Sequence, residues 1–148
     1  MSIRTDKALA LFASNYNCAQ AVLGAFCEQA GLDLDTALRL ASGFGGGVQC
    51  GEVCGAVSGA VMAIGLRCGY YIENDLEQKR FCNQKTAEFM EKFAGENGSF
   101  VCRELLGFDM REKEAFGIEK AGELFTGFCP KMVASAVRLL ERMEFERN

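Results

Sequence analysis

The chain has 148 residues, of which 49% are apolar and 24% are charged, and its formal net charge is −4. This composition is that of a globular protein and excludes a disordered one, and we expect one domain over residues 1–148. The negative charge argues against nucleic acid and anionic membrane as partners, because both bind basic surfaces. The longest apolar run, residues 53–66, is too short to cross a bilayer. Since no export signal is evident at the amino end, we expect a cytoplasmic location.

The patterning predicts an all-α fold. Only one proline occurs, and no alternating stretch typical of β-strands persists. We expect a single compact bundle of about five to seven helices around a central helix rich in glycine and cysteine. The predicted helices cover residues 5–14, 18–31, 33–42, 49–68, 75–94, 100–106 and 129–143, and residues 107–128 are expected to form short pieces between glycines.

Several helix starts carry recognisable signals. Asn17 is a good N-cap, and Gln20 three residues later completes a capping-box pattern. Ser99 is predicted to cap the sixth helix. Cys129 and Pro130 open the last helix, since proline is favoured at the first helical position.

Sulfur dominates the reactive side chains. There are eight cysteines and no histidine. The lack of histidine removes the usual general base, the usual nitrogen ligand for metals and any Cys–His catalytic pair. In a reducing compartment, cysteines are more often ligands, catalysts or core residues than permanent bridges. Any chemistry of this chain should therefore depend mainly on thiols and carboxylates.

A glycine stripe marks the predicted central helix. Its members recur four residues apart, at Gly51, Gly55 and Gly59. Each glycine costs a helix about 0.5–1 kcal/mol relative to alanine, so the stripe indicates that something approaches the backbone closely. Two uses fit equally: binding of a cofactor, or tight packing against another helix, including one across a homodimer seam. The neighbouring stripe would place Cys50, Cys54 and Ser58 on one helix face.

Three further cysteines stand at predicted helix starts: Cys18, Cys102 and Cys129. The N-terminal end of a helix carries unpaired N–H groups and about half a positive charge, which favours thiolate over thiol. Together with Cys54 of the central helix, four sulfurs could meet where helix ends converge. Core packing is the alternative for any of the cysteines, because free cysteine is among the most buried residue types. We interpret Cys27, Cys68 and Cys82 as cysteines that only pack in the core.

At these residues the chain resembles a family of small proteins labelled by the cysteine pattern C-GCAxxG-C-C, for which redox activity is presumed. The matching stretches are residues 17–22, 43–47, 54–60, 102–107 and 129–131. The resemblance implies four functional thiols, which form the catalytic set: Cys18, Cys54, Cys102 and Cys129. Cys50 has no counterpart among them, and its spacing to Cys54 makes it a candidate fifth thiol or resolving partner.

Three functions are compatible with these observations. The first is a redox protein whose four thiols exchange with disulfides or transfer electrons, with an unidentified protein as redox partner. The second is a metal or iron–sulfur site with the same four cysteines as ligands, although their long spacings match no compact cluster motif. The third is a non-enzymatic helical module that dimerises. The redox and dimerisation functions need no cofactor, whereas the second function needs a metal ion or an iron–sulfur cluster.

Overall fold

Helices account for nearly all regular structure in the computed structural model, which describes residues 2–147. They are α1 (Ile3–Ala13), α2 (Cys18–Phe26), α3 (Leu34–Ala41), α4 (Gly55–Cys68), α5 (Leu76–Asn97), α6 (Cys102–Leu106), α7 (Lys113–Phe116), α8 (Ile118–Gly127) and α9 (Cys129–Arg142). Within residues 2–147, β-structure is limited to one isolated bridge between Val53 and Val101. The predicted all-α fold is therefore confirmed. None of the helices in this range is both long and apolar enough to cross a membrane.

Many helices begin where the sequence predicts. Asn17 caps α2 and forms the complete capping box with Gln20. Asp33 caps α3, and Asp75 caps α5. Pro130 lies in the first turn of α9. These starts follow from local hydrogen bonding, in which a side-chain oxygen accepts an N–H group that the helix itself leaves unpaired.

Several helix boundaries differ from the prediction, among them the end of the second helix and the start of the sixth. The second helix ends at Phe26 rather than near residue 31, and the chain continues in the 3₁₀ turn Glu28–Ala30. The sixth helix begins at Cys102 rather than at residue 100. Its start is displaced because the Ser99 hydroxyl accepts the N–H of Val101 at 2.9 Å, and Val101 itself is extended and paired with Val53.

The main core is formed by side chains of four long helices. Val22 of α2, Ile64 of α4, Phe89 of α5 and Val137 of α9 are all completely buried in one cluster. Burying such a side chain contributes about 1.5–3 kcal/mol each. This cluster holds the helices together, and the starts of α2, α4 and α9 meet at one side of it.

The predicted central helix is wrong over its first six residues. The helix α4 starts at Gly55, whereas residues Gly47–Gly51 form an irregular turn. Val48 and Gln49 both have φ of 58° in this turn, the left-handed region that a β-branched residue rarely adopts. As a result, Cys50 has a non-helical backbone, and its thiol donates a hydrogen bond to the Gly47 carbonyl at 3.4 Å. Cys50, Cys54 and Ser58 therefore do not share a helix face.

Two glycines of α4, Gly55 and Gly59, pack against α2 within the same chain. A Cβ atom on Gly59 would lie 2.6 Å from the Ala19 carbonyl oxygen, and one on Gly55 would lie 3.2 Å from the Cβ of Cys18. Real Cβ atoms essentially never come within 3.0 Å of such neighbours. These two glycines therefore serve close helix packing inside the chain, and Gly51, which lies in the irregular turn, is not part of their ridge.

We expect Gly59→Ala to destabilise the fold by about 1–3 kcal/mol, because the new methyl group must push α4 away from the backbone of α2. The matched control is Gly65→Ala on the same helix, where a Cβ atom would meet nothing within 4 Å. That variant should be neutral or stabilised by up to about 1 kcal/mol through helix propensity. The free energy of unfolding in denaturant measures both, and equal values for the two variants would contradict the packing role.

Candidate functional site

A cavity of about 180 Å³ is lined by all four cysteines that the sequence singled out. They lie at the N-terminal ends of four different helices: Cys18 (α2), Cys54 (α4), Cys102 (α6) and Cys129 (α9). Cys54 joins this arrangement because α4 starts late, which makes it the N-cap of the helix rather than an interior residue. The convergence expected from the sequence is thus observed, whereas the chemical role of each thiol stays a prediction.

Cys18 and Cys129 are hydrogen-bonded across two helix starts. The Cys18 thiol donates to Sγ of Cys129. Cys129 is buried, and Cys18 is half-buried.

Cys54 and Cys102 are brought together by a short antiparallel pairing of backbone. The Cys54 N–H donates to the Phe100 carbonyl at 2.8 Å, and the Cys102 N–H donates to the Glu52 carbonyl at 2.6 Å. This approach requires a glycine at position 47, where a Cβ atom would lie 2.5 Å from the Glu52 nitrogen and 2.8 Å from the Cβ of Cys102. The glycine cluster before α4 therefore positions this second pair of thiols.

Asn17 positions Cys18 and connects α2 to the chain after α3. Its Oδ1 accepts the N–H of Gln20 at 2.8 Å, which completes the first turn of α2. Its Nδ2 donates to the carbonyls of Ala41 and Ser42 at 3.3 and 3.0 Å. Asn17 also lines the cavity, so one side chain orders both the helix start and the wall beside it.

The other residues of the predicted central stripe lie in different places. Gly55 lines the cavity, whereas Gly59 is buried under α2. A Cβ atom on Gly51 would lie 3.1 Å from the Cβ of Arg103 and 3.2 Å from Cγ of Asp109. Cofactor binding by Gly51, Gly55 and Gly59 stays a prediction.

A family profile described as "Putative redox-active protein (C_GCAxxG_C_C)" matches residues 16–143. The match covers most of the chain and includes all four cavity cysteines. The chain belongs to this family. No curated protein and no solved structure matches it. Family membership supports a redox-active protein, and the C_GCAxxG_C_C label contains as many cysteine positions as the cavity holds thiols.

Burial keeps two of the cavity thiols of this family member protonated. It raises the pKa of Cys54 to about 11 and that of Cys102 to about 12. The backbone at Ala56 and Val57, in the first turn of α4, lowers the pKa of Cys54, but by less than burial raises it. The expectation that a helix start makes its cysteine a thiolate is therefore wrong for Cys102.

The pair of Cys18 and Cys129 ionises asymmetrically. The pKa of Cys129 is lowered because the Cys18 thiol donates a hydrogen bond to it, and this effect exceeds the opposing effect of burial. The pKa of Cys18 is raised well above its usual value, first because its proton is held in that hydrogen bond and then by burial. Of the two, Cys129 is the thiol that ionises more readily, and Cys18 is its hydrogen-bond donor.

The remaining walls of the cavity are largely apolar. The large apolar residues that line it are Phe12, Leu105, Leu106, Met110, Phe125, Phe128 and Met132. No charged side chain of residues 2–147 is among the lining residues. Glu52, which the sequence places two residues from Cys54, is instead paired with Arg103 at 2.8 Å on the exposed surface. Along the part of the chain that the structure describes, the cavity wall itself therefore carries no carboxylate or cation, and the charge of Asp109 outside the lining raises the pKa of Cys102.

A metal site receives no geometric support. Within the described residues, no group of three or more Cys, Asp or Glu side chains is arranged to hold a metal ion. Zinc or iron–sulfur ligation by the four cysteines stays a prediction.

The structure places Cys68, the last residue of α4, in the main core, and Cys82 of α5 packs against the same cluster. The two thiols are also neighbours, since Cys82 raises the pKa of Cys68. Cys27 lies alone among buried apolar residues, as predicted. No local pattern shows the Cys68–Cys82 contact, because it depends on how α5 folds back on α4.

We expect Asn17→Ala to destabilise the protein by about 1–2 kcal/mol, because the variant loses the N-cap of α2 and both bonds to the chain after α3. Asn83→Ala is the matched control, since Asn83 is exposed in the middle of α5, and it should change stability by less than about 0.5 kcal/mol. Denaturant unfolding measures both variants. Equal losses would show that Asn17 has no special role.

We expect Cys18→Ala to raise the pKa of Cys129, because the hydrogen-bond donor is removed while burial still disfavours the thiolate. Alkylation of Cys129 by iodoacetamide, followed by peptide mass spectrometry, should then begin at a higher pH than in the wild-type protein. Cys18→Ser keeps a hydroxyl donor and should give a smaller shift. Cys27→Ala, remote from the cavity, should leave the profile unchanged, and an unchanged profile in Cys18→Ala would rule out the thiol pair.

Proposed function

We propose that this protein is a thiol–disulfide redox protein in which Cys129 is the attacking thiolate and Cys18 is the resolving thiol. The observation that carries the proposal is the hydrogen bond from Cys18 to Cys129, together with the lowered pKa of Cys129. A thiolate is the nucleophile in disulfide exchange, and among the four cavity cysteines the lowered pKa belongs to Cys129. Membership in a family described as redox-active agrees with this chemistry.

The reaction proceeds in two exchange steps. The Cys129 thiolate attacks one sulfur of a substrate disulfide R–S–S–R′, which forms a mixed disulfide with Cys129 and releases R′S⁻. The Cys18 thiol gives its proton to this leaving group and becomes a thiolate. Cys18 then attacks Sγ of Cys129, forms the Cys18–Cys129 disulfide and releases RS⁻. The substrate disulfide gains two electrons, and the protein dithiol loses them.

Cys54 and Cys102 form the second couple of the same site in this proposal. Their raised pKa values keep them as thiols at neutral pH, so they react more slowly than Cys129 with external disulfides. Once Cys18 and Cys129 are oxidised, internal exchange passes the disulfide to this second couple. Two couples in one cavity let the protein hold four electrons.

The apolar wall determines which groups enter the cavity. An uncharged disulfide, or an apolar side chain beside a disulfide of a redox partner protein, is desolvated at little cost, whereas a charged group is not.

We place the protein in the cytoplasm, where a thiol-reducing pool would regenerate the dithiol.

We expect the reduced protein to react with bis(2-hydroxyethyl) disulfide, a small neutral probe, and to acquire a Cys18–Cys129 disulfide first, before any disulfide between Cys54 and Cys102. Mass spectrometry of alkylated peptides identifies the linkage. Cys18→Ala should stop the reaction at the mixed disulfide between Cys129 and mercaptoethanol, because the resolving thiol is missing. Cys129→Ser should leave Cys18 unmodified over the same period.

The matched control is Cys27→Ser. The Cys27 thiol donates to the Gly24 carbonyl at 3.6 Å, so a serine hydroxyl keeps a partner, and this variant should react like the wild type. Reaction of Cys129 no faster than Cys54, or a mixed disulfide on Cys129 that Cys18 never resolves in the wild-type protein, would overturn the proposal.

A further inference from the structure

We propose that Cys68 and Cys82 form a second redox site, a dithiol outside the cavity that is oxidised reversibly to a disulfide linking the end of α4 to α5. Neither residue lines the cavity of Cys18 and Cys129. The site is independent of the function proposed above and would exist even if that proposal were wrong.

Cys68 and Cys82 are neighbours across two helices. Nε2 of Gln78, in the first turn of α5, donates to the Cys68 carbonyl at 2.7 Å, which holds α5 against the last turn of α4. Cys82 follows Gln78 by four residues and so lies on the same face of α5. Both cysteines pack in or against the same buried cluster, and the Cys82 thiol is near enough to raise the pKa of Cys68.

The two thiols differ in access, as an attacking and a resolving thiol should. Cys68 is 6% exposed, whereas Cys82 is half-buried and reachable from solvent. An external oxidant therefore meets Cys82 first, and Cys68 lies behind it at the contact.

Two cations lie beside Cys68. The charges of Lys85 and Arg67 lower its pKa, but burial, the largest effect, raises it to about 11. The Lys85 ammonium lies 3.3 Å from the Glu88 carboxylate, and the Arg67 guanidinium lies 3.4 Å from the Glu146 carboxylate. The charges around this pair are therefore balanced, whereas the lining of the cavity within the described residues carries no charge.

The oxidant that we propose is a small disulfide such as glutathione disulfide. The Cys82 thiolate attacks one of its sulfurs, which forms a mixed disulfide and releases one glutathione thiolate. Cys68 gives its proton to this leaving group, attacks Sγ of Cys82 and releases the second glutathione. Two protein thiols and one glutathione disulfide thus become one protein disulfide and two glutathione thiols, and two electrons move to glutathione.

Oxidation would close the chain over residues 68–82. This segment contains the exposed loop between α4 and α5, in which Tyr71 is 91% exposed and Ile72 is 61% exposed. A disulfide restricts the unfolded chain more than the folded one. The oxidised protein should therefore unfold at a higher denaturant concentration than the reduced protein.

The test uses the full chain carrying Cys18→Ser and Cys129→Ser, so that its outcome does not depend on the cavity thiols. The reduced protein is incubated with mixtures of glutathione and glutathione disulfide, alkylated and digested with trypsin. Cleavage after Arg67, Lys79, Arg80 and Lys85 separates the two cysteines. Peptides 68–79 and 81–85 should therefore appear linked in the oxidised sample and separate after treatment with dithiothreitol. The same mapping on the wild-type chain covers the case in which the double variant folds poorly.

Cys68→Ser and Cys82→Ser should each abolish the link, whereas Cys27→Ser, which changes a buried cysteine with no thiol partner in its cluster, should retain it. Stable glutathionylation of Cys82 with Cys68 still free would overturn the proposal. So would two unmodified thiols at oxidant levels that modify other cysteines of the folded chain.

Discussion

The close contact between the backbones of α2 and α4 is the constraint on which the site depends. No side chain separates the two helices at Gly59 and Ala19, so the start of α4 lies directly beside the start of α2. This places the Cys54 cap next to the Cys18 turn. A helix pair at ordinary separation, 8–10 Å between axes, would hold the same residues further apart and would open the cavity between them.

Ionisation in the cavity is decided by a competition between burial and the helix starts. A pKa near 11 for Cys54, against a usual value of 9.0, corresponds to about 3 kcal/mol in favour of the neutral thiol. The charge at a helix terminus typically contributes only about 0.3–1 kcal/mol. Position at a helix start is therefore too weak by itself to produce a thiolate in this apolar cavity, and a direct hydrogen bond from a neighbouring thiol is what distinguishes Cys129.

A thiol that activates another thiol suits a chain without histidine. The Cys18 proton stabilises the Cys129 thiolate, and the low polarity of the surroundings strengthens such a hydrogen bond. The two pairs of neighbouring thiols differ in their electrostatics. The cavity pair depends on this internal hydrogen bond, whereas Lys85 and Arg67 lie near Cys68. One pair of thiols thus lies in an apolar cavity, and the other lies near charged side chains that are paired with each other.

The sequence by itself determined the features that depend on near neighbours in the chain. The capping box of Asn17 and Gln20, the proline at the start of α9 and the placement of Cys18, Cys102 and Cys129 at helix starts all follow from contacts within a few residues. The pattern of cysteines across the chain also identified the family.

The tertiary structure alone decided the rest. The bridge between Val53 and Val101 and the left-handed turn at Val48 delay the start of α4, although the local pattern favours an earlier start. The pairing of Cys68 with Cys82 and the direction of each thiol pKa likewise depend on residues distant in sequence, because contact and burial arise only when the helices pack together.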